Sequence, residues 1–222
     1  MENLHNLKLL LKLYKYRYLG IDYFDDNEKS FTNLSDDFDL PNDIVKLESF
    51  SLNCSLCQLS KGRRNVVFGE GNLKADLMFV GEGPGAVEDE MGRPFVGRSG
   101  ELLTKIIETT LELKREDLYI ANIVKCRPPM NRTPNEDEAK TCLPYLLKQI
   151  ELIDPKIIVT LGSTAYKYLT GDMDTPISKI RGEFIKYSNR LLLPTFHPSF
   201  LLRNPSAKRY MYIDMKKVKA IL

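Results

Sequence analysis

The chain has 222 residues, of which 43% are hydrophobic, enough for one substantial domain with a buried core. Its net charge of +2 is uneven: residues 1–50 hold 6 Lys and Arg against 10 Asp and Glu, and the remainder holds 26 against 20. No apolar run reaches membrane-spanning length, and the N-terminus lacks the apolar core and cleavage site of a signal peptide. These features argue against a membrane or secreted protein, predict a cytoplasmic location and permit a nucleic-acid partner.

Residues 1–49 are predicted to form an N-terminal extension, and residues 50–222 the main domain. Residues 8–19 have the pattern of a short amphipathic helix, which we expect to pack on the main domain rather than on a membrane. Residues 22–43 are acidic, with Asn, Ser and one Pro, which is typical of a solvated linker.

The main domain alternates short apolar runs with helical segments. The runs at 77–80, 118–123, 157–161 and 191–195 are typical of β-strands. Among the helices between and after them, one is predicted to have Thr133 as its N-cap. This alternation predicts an α/β fold in which helices cover both faces of a small, mainly parallel sheet of about four strands.

The unusual residues of the main domain follow these strands. Gly81 and Gly83 come after the first, Asn122 after the second, Gly162 after the third and His197 after the fourth. Ligands of such folds bind at the carboxyl ends of the strands. We therefore expect these four segments to converge on one site.

A glycine-rich stretch follows the first strand. Residues 81–86 match the dinucleotide motif G-x-G-x-x-A, but glycines and prolines continue as far as Gly100, where that motif requires a helix. We interpret residues 84–100 as a loop whose glycines let the main chain approach a small planar ligand. Phe95 lies within it, either as a platform on which a base stacks or as an anchor packed into the core.

Four cysteines are present, namely Cys54, Cys57, Cys126 and Cys142. One close pair and two single cysteines on separate segments can surround one cofactor from several sides. Zinc ribbons usually bring two close pairs, so this spacing favours a four-thiolate iron–sulfur cluster. The alternative is four unrelated cysteines, some buried and some at the surface.

His197 is followed by a proline, a serine, a short apolar run and Arg203. Apolar residues beside a basic residue on an exposed loop resemble a wedge that enters DNA. The alternative is a structural histidine followed by apolar residues that pack against the last helix.

Together these segments resemble the family 4 uracil-DNA glycosylases, the iron–sulfur-containing branch of the uracil-DNA glycosylase superfamily. The resemblance extends from about Cys54 to the C-terminus and excludes the first 50 residues. It rests on the motifs CSLC (54–57), RRNVVFG (63–69), GEGPG (81–85), GRPFVG (92–97), NIVKCRPP (122–129) and HPSFLLRNP (197–205). It implies a three-layer α/β/α sandwich, hydrolysis of the bond between uracil and deoxyribose in DNA, and a structural [4Fe–4S] cluster bound by the four cysteines.

The resemblance also implies roles for individual residues. Phe95 should stack on the flipped uracil, Asn122 should pair with its polar edge, and His197 should donate a hydrogen bond to the uracil oxygen that gains negative charge. Backbone amides near Gly81 to Gly83 should help to stabilise that charge. On the DNA itself, Leu201 or a neighbour would fill the gap, and phosphates would be held by Arg203, Lys208 and Arg209.

The carboxylate that positions water is not fixed by the resemblance. The best-known branch of the superfamily has an aspartate at the third position of the first motif, where this chain has Gly83. We predict that Glu82 positions the water or stabilises the sugar cation. Glu88 is the second candidate, and its alternative task is to exclude the methyl group of thymine.

Three other functions share parts of the pattern. A covalent-trapping branch of the superfamily has an Arg/Lys-rich insertion with an extra histidine after the GRPF stretch, which this chain lacks. A non-catalytic cluster-bearing DNA-binding or electron-transfer protein would not need the strand-end residues. A zinc-stabilised nucleic-acid binder would lack visible thiolate-to-iron absorption. We expect a monomer that acts on single- or double-stranded uracil-containing DNA and has no membrane partner.

Overall fold

The computed structural model describes residues 40–222. Its strands are β1 (Glu70–Gly71), β2 (Leu77–Gly81), β3 (Tyr119–Asn122), β4 (Ile157–Leu161), β5 (Ile185–Tyr187) and β6 (Arg190–Thr195). They form one sheet in the order β1–β3–β2–β4–β6–β5. The four central strands β3, β2, β4 and β6 are parallel, whereas β1 and β5 pair antiparallel at the two edges.

Helices precede, connect and follow these strands. They are α1 (Ile44–Leu52), α2 (Ala86–Met91), α3 (Arg98–Ile106), α4 (Glu136–Ile153), α5 (Ser163–Thr170), α6 (Ile177–Ile180), α7 (Pro198–Arg203) and α8 (Lys208–Lys219). A π-helical turn, Ile107–Leu111, extends α3, and single 3₁₀ turns lie at Gln58–Lys61, Arg115–Asp117, Pro129–Asn131 and Pro205–Ala207. Within residues 40–222, no helix has the length and apolar character needed to cross a membrane.

The predicted α/β class is confirmed, but the sheet has six strands rather than four. The four predicted strands are the central parallel ones. The two additional strands have only two and three residues, which is too short for a recognisable alternating pattern.

Helices pack on both faces of the sheet. Leu77 and Phe79 of β2 belong to a buried cluster that includes residues of α3 and α8. On the neighbouring strand, the hydroxyl of Tyr119 accepts a hydrogen bond from Gln149 Nε2 of α4 at 3.1 Å. Burial of every residue of β2, β3 and β4 is typical of parallel strands covered by helices on both sides.

Three sequence-based predictions differ from the structure. Residues 84–100, interpreted as a loop, contain α2 and the first residues of α3, because Gly85 and Gly92 lie at the two caps of α2 instead of preventing a helix. The amphipathic helix and most of the acidic linker lie outside the described residues and stay predictions, while α1 begins at Ile44 and continues past residue 49, the predicted end of the extension. The predicted N-cap at Thr133 is wrong. Helix α4 begins two residues later because Asn135 and Glu138 satisfy each other's backbone N–H groups in a capping box.

Candidate active site

A cavity of about 520 Å³ opens at the carboxyl ends of the parallel strands. Asn122 of β3 and Leu161 of β4 line it, as do residues that follow β2 and β6, which is expected when parallel strands end at one edge of a sheet. Of the residues predicted to act on the base or the sugar, all but Gly81 line it, namely Glu82, Gly83, Glu88, Phe95, Asn122 and His197.

Gly81 lies where the side chains of Phe95 and Asn122 meet. It stands opposite Asn122 in the register of β2 and β3. A Cβ at Gly81 would lie 2.4 Å from Asn122 Oδ1 and 2.5 Å from Phe95 Cζ, which is closer than real Cβ contacts allow. Only glycine lets both side chains reach this wall of the cavity.

Asn122 presents an unpaired hydrogen-bond acceptor. The residue is 1% exposed, and no described residue donates a hydrogen bond to its buried Oδ1. Burying such an acceptor without a donor costs about 1–3 kcal/mol. Its main-chain carbonyl accepts from Lys125 Nζ at 2.9 Å, which fixes the segment. The geometry suits a ligand that brings its own N–H group.

Phe95 is held in a left-handed backbone conformation, with φ at 50°. Its ring lies 5.7 Å from the His197 ring, centroid to centroid. Arg115 donates to the Phe95 carbonyl at 3.0 Å and also to the carbonyl of Pro94. Glu70 in turn holds Arg115 through an ion pair of 2.7 Å. Arg115 therefore positions the ring from behind, a role that no sequence motif indicated.

Glu88 contacts the same loop from the other side. One carboxylate oxygen, Oε1, accepts from the backbone N–H groups of Val96 at 3.0 Å and Gly97 at 2.8 Å. Gly97 is the N-cap of α3, so this carboxylate fixes the loop at the start of the helix. The contact gives Glu88 a structural task beside the role predicted for it.

Glu82 places a second carboxylate at the cavity wall. Its Oε2 accepts from Thr164 Oγ1 at 2.5 Å, and Thr164 lies in the first turn of α5. This hydrogen bond ties the end of β2 to the helix that follows β4. The carboxylate is half-buried, so it faces both protein and cavity.

His197 is a neutral hydrogen-bond donor. Its Nδ1 accepts from Ser199 N at 3.1 Å, so this nitrogen carries no proton and the ring proton lies on Nε2. Burial, together with the positive charge of Arg203, lowers the pKa of His197 to about 4. The ring keeps some accessible surface, but that surface lies at the cavity. At neutral pH the cavity therefore meets an N–H donor without a charge.

Leu201, which the sequence predicts to fill the gap in DNA, itself or through a neighbour, does not lie on an exposed loop. Leu201 is fully buried and belongs to the core cluster on the α3 face of the sheet. The prediction assumed an exposed loop, but the segment folds as α7, which turns this side chain inward. Its neighbours Phe200 and Leu202 are half-buried and pack against the same cluster.

The three predicted phosphate ligands occupy different settings. Arg203 is exposed and lines the cavity. Arg209 is exposed but lies 4.9 Å from the centre of the Tyr210 ring, and Lys208 is half-buried at the start of α8. Of these three predicted phosphate ligands, Arg203 alone lines the cavity.

The four cysteines, with unpaired thiols, line a second cavity. They come from the turn after α1, from the segment after β3 and from α4. Within the described residues, no group of three or more His, Cys, Asp or Glu side chains is arranged as a site for a metal ion. The structure therefore brings the thiols to one place without a formed coordination shell.

The surroundings of these thiols suit a negatively charged, thiolate-bound group. Arg63 donates to Cys126 Sγ at 3.3 Å, and the Lys125 backbone N–H donates to Cys142 Sγ at 3.3 Å. The Lys125 ammonium is buried and donates to two neutral oxygens, the Asn122 carbonyl and Gln149 Oε1. No described carboxylate forms an ion pair with it. Burial lowers its pKa to about 8, because an ammonium without a nearby anion is costly. A cluster held by four thiolates would supply the missing negative charge.

Comparison with known proteins agrees with this architecture. Residues 68–216 match the Uracil DNA glycosylase superfamily, and the chain belongs to that superfamily. It is 48% identical over 172 residues to the Type-4 uracil-DNA glycosylase of Thermotoga maritima, a match that covers 76% of this chain and 89% of the relative. It is 46% identical over 194 residues to the Type-4 uracil-DNA glycosylase of Saccharolobus solfataricus, covering 84% and 87%.

Proposed function

We propose that this protein is a type 4 uracil-DNA glycosylase, which releases uracil from DNA and leaves an abasic site. Superfamily membership and the names of its relatives support this activity. The observation that carries the proposal is the buried, unpaired Oδ1 of Asn122, which shares one cavity with Phe95 and His197.

Uracil offers the complementary polar edge. Its N3–H can donate to Asn122 Oδ1, and its O4 can accept from the side-chain amide of the same residue. Cytosine has an acceptor at N3 and an amino donor at C4, so both contacts would meet the wrong partner. The Phe95 ring provides the apolar surface on which the base stacks.

The base must leave the DNA helix to reach this cavity. Extrusion costs a few kcal/mol in lost stacking and pairing, least where the base is mismatched or unpaired. Arg203, which is exposed and lines the cavity, would hold a phosphate beside the extruded nucleotide, and Lys208 and Arg209 of α8 would add further positive charge.

Hydrolysis then requires stabilisation of two opposite charges. As the bond between C1′ and N1 breaks, its electron pair stays on uracil and the sugar becomes positive. The N–H of His197 Nε2 stabilises the uracil anion at an oxygen, without needing to give up its proton. Glu82 stabilises the sugar cation and positions a water, whose oxygen bonds to C1′ while its released proton balances the uracil anion.

The cofactor of the proposed enzyme is a [4Fe–4S] cluster held by Cys54, Cys57, Cys126 and Cys142. When bound, it supplies a covalent link between three chain segments, and hydrolysis itself needs no electron transfer. The proposed location is the cytoplasm, where thiols stay reduced and available as cluster ligands.

Excision of uracil from an oligonucleotide, read as strand breaks after alkali, tests the proposal. We expect Asn122→Ala and His197→Ala each to reduce single-turnover excision at least about tenfold, equivalent to about 1.4 kcal/mol of barrier. Asn72→Ala, at an exposed site, should match the wild type. Wild-type-like rates in both cavity variants would refute these roles, and a wild type that releases no uracil would refute the activity.

A further inference from the structure

Met130 is the most exposed large apolar side chain in residues 40–222. It is 95% exposed, whereas no other large hydrophobic residue there exceeds 61%. Its backbone is left-handed, with φ at 54°, a conformation that bulky residues rarely adopt. An exposed side chain gains no packing to offset this strain, so the folded protein alone does not account for the feature.

The turn at residues 128–132 keeps Met130 in this conformation. Two backbone hydrogen bonds close the turn, from Asn131 N to the Pro128 carbonyl at 3.0 Å and from Arg132 N to the Pro129 carbonyl at 3.1 Å. Two successive prolines restrict the backbone before Met130. The main chain therefore has little freedom to relax.

Side chains brace the same turn on both flanks. Arg127 Nε donates to Asn131 Oδ1 at 2.8 Å. Arg132 makes a bidentate ion pair with Glu138 in the first turn of α4, with N–O distances of 2.8 and 2.7 Å. Because the turn is anchored to a helix and to itself, it presents Met130 from a rigid support.

The turn forms one rim of the cavity. Pro128, Asn131 and Arg132 line it directly, and on another part of the wall Phe200 and Arg203 do so from α7. Met130 lies between the lining residues Pro128 and Asn131, and its side chain is exposed to solvent, where DNA bound over the cavity could reach it.

We propose that Met130 inserts into the DNA helix beside the extruded nucleotide and occupies the space that it leaves. The inference rests on the glycosylase function proposed above. It gives Met130 the task that the sequence assigned to Leu201, which is buried in the core. Methionine is among the apolar side chains that insert between base steps, and its unbranched chain adapts to an irregular gap.

Two substitutions separate the apolar side chain from the backbone of the turn. Met130→Asn keeps a residue that tolerates the left-handed conformation but removes the apolar surface, and Met130→Leu keeps that surface. Met173→Asn is the control, because Met173 is also exposed and is not part of the cavity wall. The Met130→Asn variant should unfold at a temperature no lower than the wild type, because backbone strain in the turn is relieved.

The measured quantity is the ratio of single-turnover excision rates on double- and single-stranded oligonucleotides, since only the duplex leaves a stacked gap to fill. We expect Met130→Asn to lower this ratio at least about fivefold and Met130→Leu to keep it within about twofold. A 2-aminopurine next to uracil in the duplex should brighten on binding wild type and brighten less with Met130→Asn.

An unchanged ratio together with unchanged 2-aminopurine fluorescence in Met130→Asn would overturn the proposal, because the apolar side chain would then contribute nothing specific to the duplex. This outcome differs from failure of the proposed function. In the latter case the wild type itself would release no uracil from either substrate.

Discussion

The cavity and the cysteine site depend on the fold in different ways. The cavity walls follow the ends of parallel strands, so the register of the sheet places them, as it places Gly81 opposite Asn122. The cysteines lie on a turn, on the segment after β3 and on α4, which the sheet does not align with one another. The sheet register therefore fixes the strand-end walls of the cavity, whereas contacts such as that of Arg63 with Cys126 link the segments that carry the cysteines.

The two regions nevertheless share one short segment. Asn122 lines the cavity, Cys126 lies at the cysteine site, and Lys125 between them donates through Nζ to the Asn122 carbonyl. The same ammonium contacts Gln149 Oε1 at 2.5 Å. A change at the cysteines should therefore reach the cavity through Lys125.

The largest expected effect is that of Cys126→Ala, which removes one ligand of the proposed cluster. We expect a colourless and poorly folded protein that also loses uracil excision, because a structural metal group contributes its binding free energy to folding. Iron content, visible absorption and thermal unfolding measure the loss. Ser55→Ala, an exposed change between Cys54 and Cys57, should leave all three as in the wild type. A yellow-brown, fully active Cys126→Ala protein would show that this thiol is not a ligand.

An intermediate effect is expected for Lys125→Met, which tests the link between the two regions. The substitution keeps an unbranched side chain one atom shorter and leaves the Asn122 carbonyl and Gln149 Oε1 without their donor. Losing hydrogen bonds to buried acceptors should lower the free energy of unfolding by about 2–4 kcal/mol. Binding of free uracil should weaken about tenfold because Asn122 is no longer fixed.

Urea unfolding and calorimetry of uracil binding measure the two effects of Lys125→Met. Lys61→Met is the matched control, because Lys61 is exposed near the cysteines and its loss removes the same charge. If both variants bind uracil as the wild type does, Lys125 does not position Asn122. The cavity would then be independent of the cysteine site.

The strand-end residues could be predicted because parallel strands impose their own geometry. Apolar runs located β2, β3, β4 and β6, and the residues after them converge as a sheet of that class requires. The apolar run after His197 does not predict that the segment folds as the short helix α7, so the sequence predicts an exposed Leu201 where the structure buries it. Periodicity over six residues does not distinguish a short helix from a loop.

The supporting residues lacked any signal in the sequence. Arg115 and Lys125 bind main-chain carbonyls, which every residue possesses, so no partner type or spacing reveals the contact. The sequence also carried no indication of the backbone conformation of Met130, because a left-handed backbone is expected at glycine or asparagine rather than at methionine. Only the three-dimensional structure distinguishes these residues from ordinary surface or core positions.

The smallest expected effect is a pH dependence of stability and excision that arises from His197, a residue of the cavity wall. The native pKa of His197 is about 4, below the usual value of about 6.5 that holds in the unfolded chain. Stability from the neutral ring is therefore fully present above about pH 6.5 and is lost as the pH falls toward 4. Excision should accordingly show no histidine titration near pH 6.5.

The control is His197→Asn, since asparagine can still cap α7 but does not titrate. The difference in unfolding temperature between wild type and His197→Asn should shift against the wild type as the pH falls from 6.5 to 4. A constant difference over this range would mean that His197 is not held neutral by burial. A wild-type excision rate that falls with a midpoint near pH 6.5 would instead show that the donor is a histidine that titrates normally. The proposal that a neutral His197 stabilises the uracil anion would then be abandoned.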